Sequence, residues 1–312
     1  MWEMTMAHSV NDNSSFRPVQ RDAFGSCHPV VNLLFFILVI GISMLEMHPV
    51  LLMISFLTAF RYVCCLYQKS ERKPLLRFFL PAGLMLVLIN ALFHHRGVTV
   101  LMMLPSGNAL TLESIMYGFA AALMMLAVTL WFTCLNAVMP PDKFVYLFGR
   151  VIPVLALILS MTLRFVPMMY SQFRQIEQVQ RSMGHDVTKG PVLQRMRSAA
   201  AIVSILLTWA MENAVVTADS MKGRGYGLSG RTAFSIYRFD KRDGVIAAGF
   251  TICAIYTAVL AAAGYLDWTF YPVLSGSLFH PLAISGYAAY TALCVTPLVL
   301  NKREDRVWDA CR

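Results

Sequence analysis

Very few residues in this 312-residue sequence could do chemistry by themselves. Cys27-His28 and His94-His95 are adjacent pairs of metal-ligating types. Neither pair has a third ligand in view, and the seven cysteines contain no C-x-x-C spacing. Most of those cysteines lie in apolar runs, where a thiol behaves as a small hydrophobe. No metal, cofactor or disulfide is expected. The sequence has no G-x-x-x-x-G-K-[ST], H-E-x-x-H or G-x-S-x-G, so nucleotide-loop, zinc-protease and serine-hydrolase chemistry are not indicated. Proton relays need ionisable groups at membrane depth, and few exist. Glu46 and His48 fall at a predicted outer turn, Arg61 lies toward an inner helix end, and Asn32, Asn90 and Asn136 are neutral. The charges that stand out are in "MENAVVTADSMKGRGYG", where Glu212, Asp219, Lys222 and Arg224 precede or sit among glycines.

The elements that must position these charges follow from composition. The chain is 57% hydrophobic and 14% charged, with mean hydropathy +0.59. Soluble domains carry about 25% charged residues. The fold class expected is therefore an all-α polytopic membrane protein. Apolar runs cover Val30–Met47, Pro49–Tyr67, Leu75–Phe93, Ser114–Val138, Phe144–Tyr170, Val245–Leu266 and Leu282–Leu300. Each is long enough to cross about 30 Å of hydrocarbon.

Charge decides which of them cross. Net charge is +9, read here as positive-inside bias rather than nucleic-acid binding. The loop Gln68–Arg77 holds four basic residues and one acid. Ser171–Asp243 holds eleven basic residues and six acids. Both should be cytoplasmic. Two spans separate them, so a further full crossing by Phe144–Tyr170 would break the rule. That run also carries Arg150, Pro153, Arg164 and Pro167, which are awkward in lipid. It is read as helices lying at the inner face or packed against the bundle, which leaves about six spans. The organisation expected is a cytoplasmic tail at 1–28, membrane helices 1–4 at 29–138 and a cytoplasmic or interfacial region at 139–243. Membrane helices 5–6 follow at 244–302, then a cytoplasmic tail at 303–312. No signal peptide is expected before the first span.

Two helices stand out in the basic region. In the first, Met169, Phe173, Ile176, Val179 and Met183 form one stripe, and Gly184 should stop it. The second should run from about Val192 to Gly223, ended by Gly223 and Gly225. Ala210, Ala214 and Ala218 form a small-residue seam on which another helix can pack closely. Glu212 and Asp219 share a face. The spacing suggests a crossing pair joined by "GHDVTKGP". Lys222 and Arg224 lie near a helix C-terminus, where the dipole favours cations. They serve either as caps or as a contact, since an arginine between glycines can reach a partner's carboxylates or carbonyls.

"DSMKGRGYG" and "QRSMG" resemble the paired motifs of the transmembrane T component of energy-coupling factor (ECF) transporters, including cobalt- and nickel-type members. Met221, Arg224, Gly225 and Tyr226 fit the second motif, with Lys222 and Gly223 replacing Glu and Ala. Gln180, Arg181 and Gly184 fit the first, and Met183 stands where the family has arginine. "MTLRFVPMMYSQFRQI" and "HPVVNLLFF" are similar to two further family segments, and the likeness runs from about Cys27 to Leu300. The resemblance implies a non-enzymatic coupling subunit in a bacterial or archaeal plasma membrane, with both termini cytoplasmic. It implies two ATP-binding-cassette ATPases and a substrate-binding S component as partners. Arg181, Met183, Gly184, Gly223, Arg224 and Gly225 would dock the ATPases, with Glu212, Asp219 and Arg164 in support. The cargo would be a vitamin or transition-metal ion. A membrane enzyme, a stand-alone permease and a scaffold unrelated to transport are the competing classes.

Overall fold

The computed structural model describes residues 23–67, 69–93, 97–103, 109–149, 152–184, 191–226, 237, 239–271, 273–276 and 279–310. Among them are nine α-helices: α1 (Pro29–Leu45), α2 (Pro49–Leu66), α3 (Lys69–Phe93), α4 (Leu112–Val138), α5 (Pro141–Gly149), α6 (Pro153–Ser182), α7 (Val192–Gly223), α8 (Lys241–Ala262) and α9 (Pro281–Ala310). Two short antiparallel hairpins complete the described secondary structure: β1 (Val100–Met103) with β2 (Ala109–Thr111), and β3 (Trp268–Thr269) with β4 (Ser275–Gly276). The protein is an all-α polytopic membrane protein.

The chain divides into two compact units, 141–236 and 14–140 with 237–312, apart from the first thirteen residues. The larger unit packs α1, α2, α3, α4, α8 and α9 around an apolar core that includes Phe35, Phe36, Tyr62, Trp131, Phe250, Tyr290 and Leu293. Phe24 and Phe35 meet edge to face at 5.1 Å, and Phe35 and Trp131 at 5.6 Å. Such aromatic pairs add specific geometry to their burial. A buried hydroxyl network ties four helices together inside this core. Ser43 on α1 lies 2.9 Å from Ser55 on α2 and 2.7 Å from the Tyr290 hydroxyl on α9, and the Trp131 indole on α4 donates to Ser55 at 3.0 Å. In a medium without water these groups must satisfy one another.

The ends of this bundle are distinct. At one end the Phe24 amide donates to Asn301 at 3.2 Å, and His28 meets Phe239. The start of α1, the residue before the α8 cap and the polar part of α9 therefore share that end. At the other, His48 caps α2 by accepting from the Val50 amide through Nδ1, lies 3.0 Å from the Tyr287 hydroxyl and meets Trp268 edge to face.

Several boundaries differ from expectation. Residues 69–77, expected as a loop, are the first turns of α3, and α8 and α9 likewise carry their helical repeat into polar sequence at Lys241 and Asn301. Charged residues suit an exposed helix end as well as a loop, so hydropathy alone misplaces the boundary. Pro167, noted as awkward in lipid, does not end a helix. α6 runs through it, although a mid-helix proline leaves the carbonyl four residues earlier without its usual partner.

The count of possible spans also has a different membership. Among the described residues six helices are long and apolar enough to cross a membrane: Pro49–Leu66, Leu112–Val138, Pro153–Ser182, Val192–Gly223, Lys241–Ala262 and Pro281–Arg303. α6 and α7 thus qualify on length and apolarity, whereas α1 is shorter and the apolar part of α3 is Pro81–Asn90. What separates α6 and α7 is cover. Only 6% of their apolar windows is buried, against 28–44% for the other four.

Candidate functional site

The smaller unit consists of α5, α6 and α7. Phe165 and Trp209 stack with ring centroids 6.1 Å apart, near the middle of α6 and of α7. Leu206, Trp209, Asn213, Thr217 and Met221 form a partly covered stripe on α7. The alanine seam is turned away from it: Ala210 is half-buried, but Ala214 and Ala218 are exposed. The bulky indole thus occupies the contact the small residues were expected to make, and the seam remains open to a helix from outside the described residues. Glu212 and Asp219 are exposed beside it, as is Arg164 on α6.

The two helix ends repeat one local design. α6 ends at Ser182, with Met183 as its cap at φ −83°, ψ 5°. Gly184 follows at φ +85°, and its amide donates to the Arg181 carbonyl at 3.2 Å. α7 ends at Gly223, with Arg224 as its cap at φ −87°, ψ 7°. Gly225 follows at φ +73°. Its amide donates to the Lys222 carbonyl at 3.0 Å, and the Tyr226 amide donates to the Met221 carbonyl at 3.1 Å. This pair of bonds is the Schellman arrangement, which needs a left-handed residue after the cap. The stop at each tip is therefore Gly184 and Gly225. Gly223, expected to share that role, is an ordinary last helical residue with open space where a Cβ would stand.

The side chains at the tips differ. Met183 is 58% exposed, an apolar side chain available for contact. Arg224 is exposed at the cap position of α7. Arg181 lies 3.6 Å from Glu177 one turn earlier, and both are solvent-accessible, so the pair adds little stability. Lys222 is exposed in the last turn of α7. The linker 185–190 lies outside the described residues.

The tips stand well apart. Met183 to Val192 is nine residue steps, which reach at most about 32 Å when fully extended. Val192 to Arg224 measures about 48 Å along a helix. The two tips are therefore separated by at least about 16 Å, the difference between these lengths. They cannot enter one pocket together.

A polytopic helical protein with a poorly covered helix pair ending in two equivalent glycine caps is the class so defined. Residues 25–234 match the family described as CbiQ, cobalt transport protein, and the chain belongs to that family. It is also similar to the energy-coupling factor transporter transmembrane protein EcfT of Lactobacillus helveticus, 34% identical over 99 residues, 31% of this chain and 36% of that protein. The same protein of Lacticaseibacillus paracasei is 36% identical over 99 residues, covering 31% and 38%. That of Bacillus subtilis is 30% identical over 109 residues, covering 35% and 41%. The aligned stretch thus spans about two fifths or less of these relatives.

Proposed function

We propose that this chain is the transmembrane coupling (T) subunit of an ECF-type importer. It transmits the ATP-driven motion of two cytoplasmic ATPases to a substrate-binding S component and hydrolyses nothing itself. The reading rests on the repeated cap at Met183-Gly184 and Arg224-Gly225 in a chain of this family. Two equivalent tips at least about 16 Å apart suit two separate but similar grooves, one on each ATPase. At the second tip Arg224 offers a planar fork to carboxylates or carbonyl oxygens. At the first, Met183 fills the equivalent place with an adaptable apolar side chain, and Arg181 supplies charge from the turn before.

The exposed Ala214 and Ala218 form the closest-approach line for an S-component helix, supported by the acids Glu212 and Asp219. The remaining uncovered apolar surface of α6 and α7 is met by lipid and the S component. The tips and both termini lie on the cytoplasmic side, with 139–243 as the coupling region between membrane helices. The cargo, a vitamin or a transition-metal ion, is set by the S component.

The deciding experiment is co-purification of the ATPase pair with the tagged, solubilised chain, alongside uptake in cells. Arg224→Glu is expected to detach the ATPases and abolish uptake. Equal ATPase recovery with Arg224→Glu and with the unmodified chain refutes the docking role, and uptake by the chain alone in liposomes refutes the coupling role.

A further inference from the structure

The two ends of α7 differ in charge and in the company their charges keep. Glu212, Asp219, Lys222 and Arg224 balance at the far end. At the linker end, the described parts of α6 and α7 carry Arg174, Arg181, Arg195 and Arg197 against the single acid Glu177. Glu177 is already engaged by Arg181 at 3.6 Å. The arginines of α7 also alternate with bare apolar side chains: Val192 is 70% exposed, Leu193 81% and Met196 64%. A cationic helix end interleaved with large exposed hydrophobes suits neither water nor the bilayer interior. It suits the boundary between them.

α6 marks the same boundary. From Pro153 to Met169 its only charge is Arg164, whereas from Tyr170 onward Arg174, Glu177, Gln178 and Arg181 alternate with apolar residues. At the changeover Tyr170 accepts from Arg174 at 2.6 Å and 3.1 Å, and that guanidinium also lies 4.9 Å from the Tyr170 ring centroid. Tyrosine is enriched at the headgroup level of membranes, with its apolar body and polar tip in different media. Stacking on the ring fixes the Arg174 fork in place and leaves part of its donor edge open. The stripe continues as a groove of about 310 Å³ lined by Tyr170, Phe173, Arg174, Glu177, Gln178 and Arg181. This groove sets the Tyr170 and Phe173 rings beside the Arg174 guanidinium and the Arg181–Glu177 pair, aromatic and cationic groups that suit a phosphodiester on an acyl chain.

We propose that the linker end of the α6–α7 pair, residues 170–182 and 192–197, binds the anionic headgroups of phospholipids. Arg174 on its Tyr170 platform, with Arg195 and Arg197, contacts the phosphodiesters. Val192, Leu193 and Met196 enter the acyl boundary. This anchors the linker end of the helix pair at the membrane surface.

The test uses the full chain in nanodiscs of phosphatidylcholine or of an equimolar mixture with phosphatidylglycerol. Amide hydrogen exchange of 170–182 and 192–197 is expected to slow in the anionic discs. Phosphatidylglycerol retention over phosphatidylcholine, read by native mass spectrometry, is expected to fall about fivefold for each arginine removed in Arg174→Gln and Arg195→Gln/Arg197→Gln. Arg164→Gln serves as the charge control and is expected to leave retention unchanged. Equal exchange in the two compositions overturns the proposal even if a variant fails to fold. So does unchanged lipid selectivity in folded variants, or loss of ATPase recovery with lipid selectivity intact, which would assign the surface to a protein partner.

Discussion

Met183 and Arg224 occupy the same place on two different helices, with backbone angles (φ −83°, ψ 5° and φ −87°, ψ 7°) only a few degrees apart. The scaffold at the two tips is thus matched while the chemistry is not. Docking by the second tip should depend on charge, and docking by the first on apolar surface.

Arg224→Glu is expected to lower ATPase affinity by about 30-fold or more, the scale of losing one buried charged partner and leaving the other unpaired. Met183→Ala is expected to lower it less than tenfold, as it removes apolar contact only. Binding of the purified ATPases to each variant, by titration in detergent, measures both.

The glycines at the second tip should separate cleanly. Gly225→Ala forces a Cβ into a left-handed backbone at φ +73° and is expected to cost about 1–2 kcal/mol locally, fraying the last turn and weakening ATPase binding. Gly223→Ala meets nothing within 4 Å and is expected to firm the helix end by about 0.5–1 kcal/mol with binding retained. Hydrogen exchange of residues 218–226 reports the local effect. A loss of binding in Gly223→Ala would mean that the partner's backbone approaches this glycine directly.

The uncovered seam gives a test that does not disturb the fold. Ala214→Leu is expected to leave the unfolding midpoint of the purified chain unchanged, because Ala214 is exposed. It is expected to reduce S-component recovery, because a larger side chain holds helix axes apart. A fall in the midpoint would show that the seam packs within the chain instead.

The buried hydroxyl network predicts an order of severity. Ser55→Ala removes the acceptor of the Trp131 indole and a partner of Ser43, and is expected to cost about 1–3 kcal/mol. Tyr290→Phe leaves the Ser43–Ser55–Trp131 chain intact and should cost less. Thermal unfolding of the detergent-solubilised variants ranks them, and the reverse order would mean that the Tyr290 hydroxyl is the network's anchor.

His48 should make the bundle acid-sensitive. Burial holds its pKa below the ordinary value, so the folded chain binds this proton less readily than the unfolded chain does. The stabilising contribution is complete above about pH 6.5 and is lost as pH falls from there through the lower folded value. Glu46 opposes it in sign. Burial and the neighbouring Asp267 raise its pKa, so the folded state gains from its protonation at lower pH. His48→Asn can still accept the Val50 amide as a helix cap and is expected to flatten the loss of stability as pH falls below about 6.5. Parallel pH profiles for the two proteins would remove His48 as the cause.

Much of this was legible in the sequence where a strong local rule applied. The 3.6-residue stripe and the glycines marked the end of α6 and the full extent of α7. Length and hydropathy found the six helices of the larger unit. The direction of the alanine seam was not legible, because it depends on how α7 packs on α6, where Phe165 meets Trp209. Nor did sequence reasoning identify the Tyr170–Arg174 platform. The signal was present as an i, i+4 pair of aromatic and cation at the point where α6 changes from apolar to polar. Length and apolarity could not separate α6 and α7 from spanning helices, since both kinds must meet hydrocarbon or apolar protein. Burial sets these two apart only by how little of them the rest of the chain covers.

The same lack of cover has a consequence for the life of the chain in a cell. A helix pair with so little of its apolar surface buried invites association with whatever hydrophobic segment is nearest. Synthesised in excess of its companions, the chain would be an orphan for quality-control proteases to remove, so its abundance should track theirs rather than its own rate of translation.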